Sequence, residues 1–299
     1  MPATTYERGD GETVKSLGPG FKSNYAQVGD LRIHYVSGGN GAPLLLILGW
    51  PQTWYVWRHL MPLLAKTHHV IAVDTRGMNY SSRPTSAYDS KTCADDLHGL
   101  MTQLGHARFN VIGHDVGMWI AYALAADYPE KVERLAVMEA VLPGLGLNPP
   151  FFSSTIQDIK RWQFVFNPLP DLPEALIIGR EAEYLTWLFE NKAFRPDAIA
   201  MHEYIRAYSS PGAMRAGFAY YRALPETISQ NELRAKTKLR MPVLALGGEF
   251  ALGVMPQQVM ETVADNVIGG EVKACGHYIP EECPDQLLTW LMPFLTAKV

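Results

Sequence analysis

A carboxylate stands where a strand-to-helix turn more often presents a hydroxyl. Residues 113–117 read Gly-His-Asp-Val-Gly, small–x–nucleophile–x–small, with Asp115 at the centre. An elbow of this kind holds its middle side chain up and aimed. Asp is also a favoured N-cap, so capping the helix expected from Val116 is the plainer use of Asp115. Two further residues tilt the reading towards chemistry. His277, in Cys-Gly-His, follows the last expected strand and precedes the final helix, where a base for such a nucleophile is kept. The acid that orients it is expected at Glu139, directly after the apolar run 135–138. Glu249, after the strand 241–248, is the weaker candidate: it lies early in its loop, and no Asp occupies the usual place. The run 44–48 leads into Gly49-Trp50-Pro51, and the backbone N–H groups of Trp50 and Val116 would converge on one oxygen as an oxyanion hole. A carboxylate attacks amides poorly, but it displaces a leaving group from an sp3 carbon to give an ester. Water activated by His277 would then attack that ester. Epoxides and alkyl halides suit this sequence of steps.

The elements that must hold these residues are legible in the hydropathy pattern. Residues 25–28 and 31–36 flank Gly29-Asp30 as an antiparallel hairpin. Strands are expected at 44–48, 69–74, 109–113, 134–139, 241–248 and 271–274, with helical periodicity between them. Alternation of this kind implies a mostly parallel sheet with helices on both faces. Between about 142 and 236 the rhythm breaks into aromatic-rich helical spacing with Pro interruptions and no buried strand. That stretch is expected to be a helical cap inserted after the sixth strand, over the sheet edge where ligands bind. Residues 1–141 and 237–299 would form the core.

Composition narrows the partners. The 299 residues are 47% hydrophobic and 19% charged, enough for a sizeable core, and the net charge of -4 gives no support for a nucleic-acid partner. No Cys/His spacing suits zinc, so no metal or other cofactor is expected. The polar N-terminus lacks the apolar core of a signal peptide, and no run is long enough to span a bilayer. A cytoplasmic enzyme acting on a small molecule, as monomer or homodimer, is the expectation.

With these residues in place, the chain resembles the α/β-hydrolase-fold epoxide hydrolases and the related dehalogenases, and within them the Cif-like subgroup. The stretches that carry the resemblance are QTWYVW (52–57), HDVGMW (114–119), VMEAVLP (137–143), YYRAL (220–224) and CGHYIPEEC (275–283). The resemblance implies Glu139 as the relay acid and Tyr221 as a cap residue that protonates the epoxide oxygen. It also implies a Cys275–Cys283 disulfide. Two departures stand out. The second ring-opening residue of the family, a Tyr or His, falls on Trp162, or on Gln163 with a one-residue shift, and neither supplies a proton at neutral pH. The His of the family's HGxP motif is Leu48. Trp162, Gln163, Phe164 and Tyr220 are expected to line the substrate site, with Phe166 nearby, and their aromatic character suits an apolar substrate. The alternatives are a hydrolytic dehalogenase and a non-hydrolytic biosynthetic member. Against the first, Val116, Gly117 and Met118 stand where haloacetate enzymes carry Arg, and Val116 where haloalkane enzymes carry Trp.

Overall fold

The computed structural model describes residues 10–145 and 161–297. The hairpin forms as β1 (Lys22–Val28) and β2 (Leu31–Gly38). The strands that follow are β3 (Ala42–Ile47), β4 (His68–Val73), β5 (Phe109–His114), β6 (Val132–Met138), β7 (Val243–Gly248) and β8 (Val267–Val272). They make one eight-stranded sheet in the order β1-β2-β4-β3-β5-β6-β7-β8. The pairings that involve β2 are antiparallel and the others are parallel. This is an α/β-hydrolase fold.

The central strands are apolar runs because both their faces are covered. β5 and β7 are buried along their whole length. The helix Val116–Asp127, which leaves the elbow, is buried from Val116 to Ala125, as expected for a helix apolar all round. The helix Ser90–Gln103 is capped by Asp89, whose Oδ1 accepts from Thr92 N at 3.0 Å. The last strand differs from its sequence reading: it runs from Val267 to Val272, not over 271–274. Its pairing with β7 begins at Val243↔Val267, and Gly269-Gly270 in its middle dilute the strand signal.

The register puts the chemistry on one edge. Ile47 pairs Gly113, and Gly113 pairs Val137, so the residues just beyond β3, β5 and β6 emerge side by side. Those residues include Trp50, Asp115 and Glu139. Between β6 and β7 the described residues form helices at Gln163–Phe166, Leu172–Ile177, Glu181–Lys192, Met201–Tyr208, Ala213–Arg222 and Leu224–Arg234. Among the described residues no helix is long and apolar enough to cross a membrane.

Candidate active site

Asp115 occupies a backbone conformation that side chains rarely adopt, φ 52° and ψ -122°. Its N–H is held by Met138 O at 3.0 Å. Such a residue costs of order 1–3 kcal/mol and persists only where its surroundings fix it. The flanking glycines are part of that fixing. A Cβ on Gly113 would lie 2.3 Å from Gly117 O, and one on Gly117 would lie 2.4 Å from Ile47 O. Gly49 is needed for the same reason, since its Cβ would sit 2.6 Å from the Asp115 Cβ. The capping use of Asp115 is not realised: its side chain makes no cap hydrogen bond to the helix it precedes.

The carboxylate turns instead to two other partners. Trp50 N donates to Oδ1 at 3.2 Å, and His277 Nε2 lies 3.3 Å from Oδ2. Val116 is the first residue of its helix, so helix geometry supplies no intrahelical acceptor for its N–H. On the far side of the imidazole, Nδ1 donates to Glu139 Oε2 at 2.8 Å. Glu139 is itself at positive φ, 56°, and its N–H is held by Leu246 O at 3.1 Å. Its second oxygen accepts from Gly248 N at 2.6 Å and Leu252 N at 3.3 Å. Asp115, His277 and Glu139 thus form one chain of contacts, fixed at both ends by backbone amides. Glu249, the other acid considered, is exposed and accepts from Ala274 N at 2.8 Å, with Lys273 beside it.

The electrostatics follow from the burial of these groups together. Burial opposes ionisation of Asp115, but the hydrogen bond and charge of His277, with Lys192 and His114 behind them, outweigh it and hold its pKa at about 2. Burial opposes protonation of His277, but Asp115 and then Glu139 overcome it, so its pKa is raised. His114 is the opposite case. Burial and the neighbouring His277 charge lower it to about 4, so it stays neutral and donates from Nε2 to His277 O at 2.8 Å.

A cavity of about 550 Å³ opens above this floor. Asp115, Glu139 and His277 lie at its base, and Trp119, Val141, Phe164, Leu224, Ile228 and Met255 give it an apolar wall. Gln163 is on that wall and 1% exposed, whereas the Trp162 ring packs against Phe166, Tyr184 and Trp187. Of the two, Gln163 lines the cavity. Tyr221 is wedged between Trp50 and Phe164, with ring centroids at 5.4 and 5.5 Å. Burial, and then the Asp115 charge, push its phenol well above the ordinary tyrosine value.

Tyr220 requires a correction. Its hydroxyl donates to Arg76 O at 2.7 Å and lies 2.9 Å from Thr75 Oγ1. It ties the helix Ala213–Arg222 to the core and, like Tyr221, is not among the residues that line the cavity. Cys275 and Cys283, for which the resemblance implies a disulfide, are free buried thiols, as is Cys93.

Sequence reasoning missed two cations on the cavity wall, Arg161 and Lys192. Burial lowers the Lys192 pKa, while Asp115 and Glu139 pull it the other way. The signal was weak, because a lysine near a helix C-terminus is ordinarily a solvated one that complements the helix dipole. Among the described residues no group of three His, Cys, Asp or Glu side chains is arranged to hold a metal ion.

Comparison with known proteins shows the family. Residues 42–167 match the model of the alpha/beta hydrolase fold family. The chain is 36% identical to the soluble epoxide hydrolase of Corynebacterium sp. (strain C12), over 90% of this chain and 95% of that one. It is 28% identical to a fluoroacetate dehalogenase of Burkholderia sp., over 93% of this chain and 94% of the relative. Among solved structures it is similar to Cfl2 of Burkholderia cenocepacia, with a TM-score of 0.89, 39% identity, and coverage of 92% of this chain and 96% of that one. The chain belongs to the α/β-hydrolase-fold epoxide hydrolase family.

Proposed function

We propose that this hydrolase converts an epoxide to a vicinal diol through an ester on Asp115. The observation that carries the reading is His277 bridging Asp115 at 3.3 Å and Glu139 at 2.8 Å. Asp115 Oδ2 attacks an epoxide carbon, the ring C–O bond breaks, and Tyr221 gives its proton to the departing oxygen. Oδ1 stays on the Trp50 N–H. Ester formation removes the Asp115 charge, and with it the contact that raises the His277 pKa. The imidazole is then neutral at lower pH and accepts a proton from water at Nε2, while Glu139 holds Nδ1–H. Water oxygen adds to Cγ of Asp115. The Trp50 and Val116 N–H groups stabilise the oxyanion on Oδ1. Collapse breaks the Cγ–Oδ2 bond, His277 returns its proton to the leaving alkoxide, and the diol departs carrying Oδ2; the proton left on the rebuilt Asp115 carboxyl passes through water to the Tyr221 phenolate, which restores both groups. Gln163 donates a hydrogen bond to the ring oxygen but no proton, so Tyr221 acts as the sole acid.

The wall chemistry supports a substrate with an apolar body, and Arg161 and Lys192 favour one that also carries an acceptor group. The test is intact-protein mass spectrometry of Glu139-intact His277→Gln incubated with aryl and alkyl epoxides. An adduct of epoxide mass on Asp115 is expected, and a panel that leaves no adduct contradicts the reading.

The second reading is hydrolytic dehalogenation, which uses the same ester. A halide needs hydrogen-bond donors and no proton, which suits Gln163, and the fluoroacetate dehalogenase relative shares most of the chain. Halide release from haloalkanes or haloacids at a rate exceeding diol formation would favour it.

A further inference from the structure

Two adjacent buried glutamates lie outside the mechanism, Glu281 and Glu282, at 3% and 2% exposure. Each has its carboxylate filled by donors from distant parts of the chain. Glu282 Oε2 accepts from Gly276 N at 3.0 Å, Phe194 N at 2.7 Å and Arg195 N at 2.8 Å. Its Oε1 accepts from Tyr278 N at 2.8 Å. Gly276 and Tyr278 flank the base, so Glu282 grips the His277 loop from both sides and joins it to the cap segment that follows the helix Glu181–Lys192. His277 N–H donates to Lys192 O at 3.1 Å in the same seam.

Glu281 repeats the arrangement on the other catalytic loop. Its Oε2 accepts from Gln52 Nε2 at 2.7 Å, and its Oε1 accepts from Ala200 N at 3.0 Å and from Arg58. Gln52 N in turn donates to Gly49 O at 2.8 Å, closing the turn that aims the Trp50 N–H. Arg58 Nη2 reaches Ala198 O at 3.0 Å, on the same cap segment.

We infer that Glu281 and Glu282 are positioning residues that clip the oxyanion loop (49–52) and the base loop (276–278) to one cap segment (194–200). A buried carboxylate that accepts several backbone N–H groups is a stiff joint, because every donor it releases is left buried and unpaired. The geometry of both half-reactions therefore depends on where that segment of the cap sits. The two clips are separable in effect. Glu282 fixes the base, which acts on the ester and not in its formation. Glu281 fixes the loop whose N–H touches Asp115 in both steps.

This inference rests on the proposed ester mechanism for its kinetic arm and has a second arm that does not. Glu282→Gln keeps the shape but turns one acceptor into a donor facing backbone N–H groups. With an epoxide that alkylates wild-type Asp115, quenched-flow mass spectrometry is expected to show ester formation within about 2-fold of wild type. Ester decay is expected to slow at least ~10-fold, since sub-ångström misplacement of a base is costly. Glu282→Asp, which restores the charge on a shorter arm, is expected to recover part of the loss. A purely structural role would lower both rates together with the folded fraction. If the folded variant changes both steps equally, or neither, the inference fails; if Glu282→Gln does not fold, the same split must appear in Glu282→Asp. Should wild type form no ester with any epoxide, the proposed function fails and hydrogen exchange decides the inference alone. Segments 192–196 and 275–278 are then expected to exchange faster together in Glu282→Gln while β5 and β7 are unchanged. Loosening of one segment without the other overturns the coupling.

Discussion

The floor and the cap of this site are built on different principles. On the floor, both carboxylate oxygens of Asp115 and of Glu139 have partners, and the partners are backbone amides or the ring of His277. The two acids sit at strand ends in positive-φ conformations held by neighbouring strands. In the helices between β6 and β7, the cavity-lining Phe164 and the side chains behind the wall are held mainly by ring-on-ring contacts such as Phe164 on Tyr221 and Trp162 on Tyr184, and the buried indole N–H of Trp162 has no hydrogen-bond partner. Hydrogen-bonded sheet edges tolerate little change, whereas packed aromatic surfaces can be re-cut. If the proposed function holds, the reaction type belongs to the floor and the choice of substrate to the helices above it.

Substitutions should respect that division. The largest effect is expected from Asp115→Ala, which removes the nucleophile: turnover should fall by ~10⁴-fold or more in steady-state assays while the fold, read by circular dichroism, is kept. A variant that keeps turning over would place the chemistry elsewhere. Tyr221→Phe removes one donor and the acid, so ring opening should slow by ~10²–10³-fold with little change in ester decay. Gln163→His sharpens the same point from the other side. A second proton donor on the cavity wall should raise the rate of ring opening several-fold, measured as single-turnover ester formation.

Much of the floor is legible in the sequence. Apolar runs that end in a charged residue single out Asp115 and Glu139, and His277 follows from its place after the last strand. The loop proposed as an oxyanion hole is equally legible, because Gly49 and Trp50 follow a continuous buried run. The cap was readable as helices but not as faces. Nothing in AYYRAL says which of Tyr220 and Tyr221 looks inward, and a one-residue ambiguity moved the ring-opening position between Trp162 and Gln163. Glu281 and Glu282 were invisible for a different reason. Two adjacent acids before a helix ordinarily read as a solvated, dipole-friendly start, and their burial depends on donors far along the chain, among them Ala200 N and the Gln52 side-chain amide, 81 and 229 residues from Glu281.

Smaller effects test the boundary between the regions. The Lys192 charge lowers the His277 pKa, so Lys192→Met should raise it. The base is active when neutral, so the acid limb of the pH–rate profile should move to higher pH, and an unmoved or lowered limb would show that Lys192 does not act on the base. The smallest catalytic effect is expected from Tyr220→Phe. Loss of its contacts to Arg76 O and Thr75 should lower unfolding stability by about 1–2 kcal/mol in denaturant titrations and leave turnover within about 2-fold. A large loss of turnover in a stable Tyr220→Phe protein would return Tyr220 to the site.

The central claim is that the carboxylate of Asp115 is itself consumed and rebuilt. It is tested most directly by a single turnover of wild-type enzyme, in excess over an epoxide, in water enriched in oxygen-18. The account predicts a diol whose new oxygen is unlabelled, because it comes from Asp115 Oδ2, together with one labelled oxygen in the Asp115 side chain. A diol labelled in that first turnover, with Asp115 unlabelled, would mean that water attacks the epoxide directly and would contradict the account.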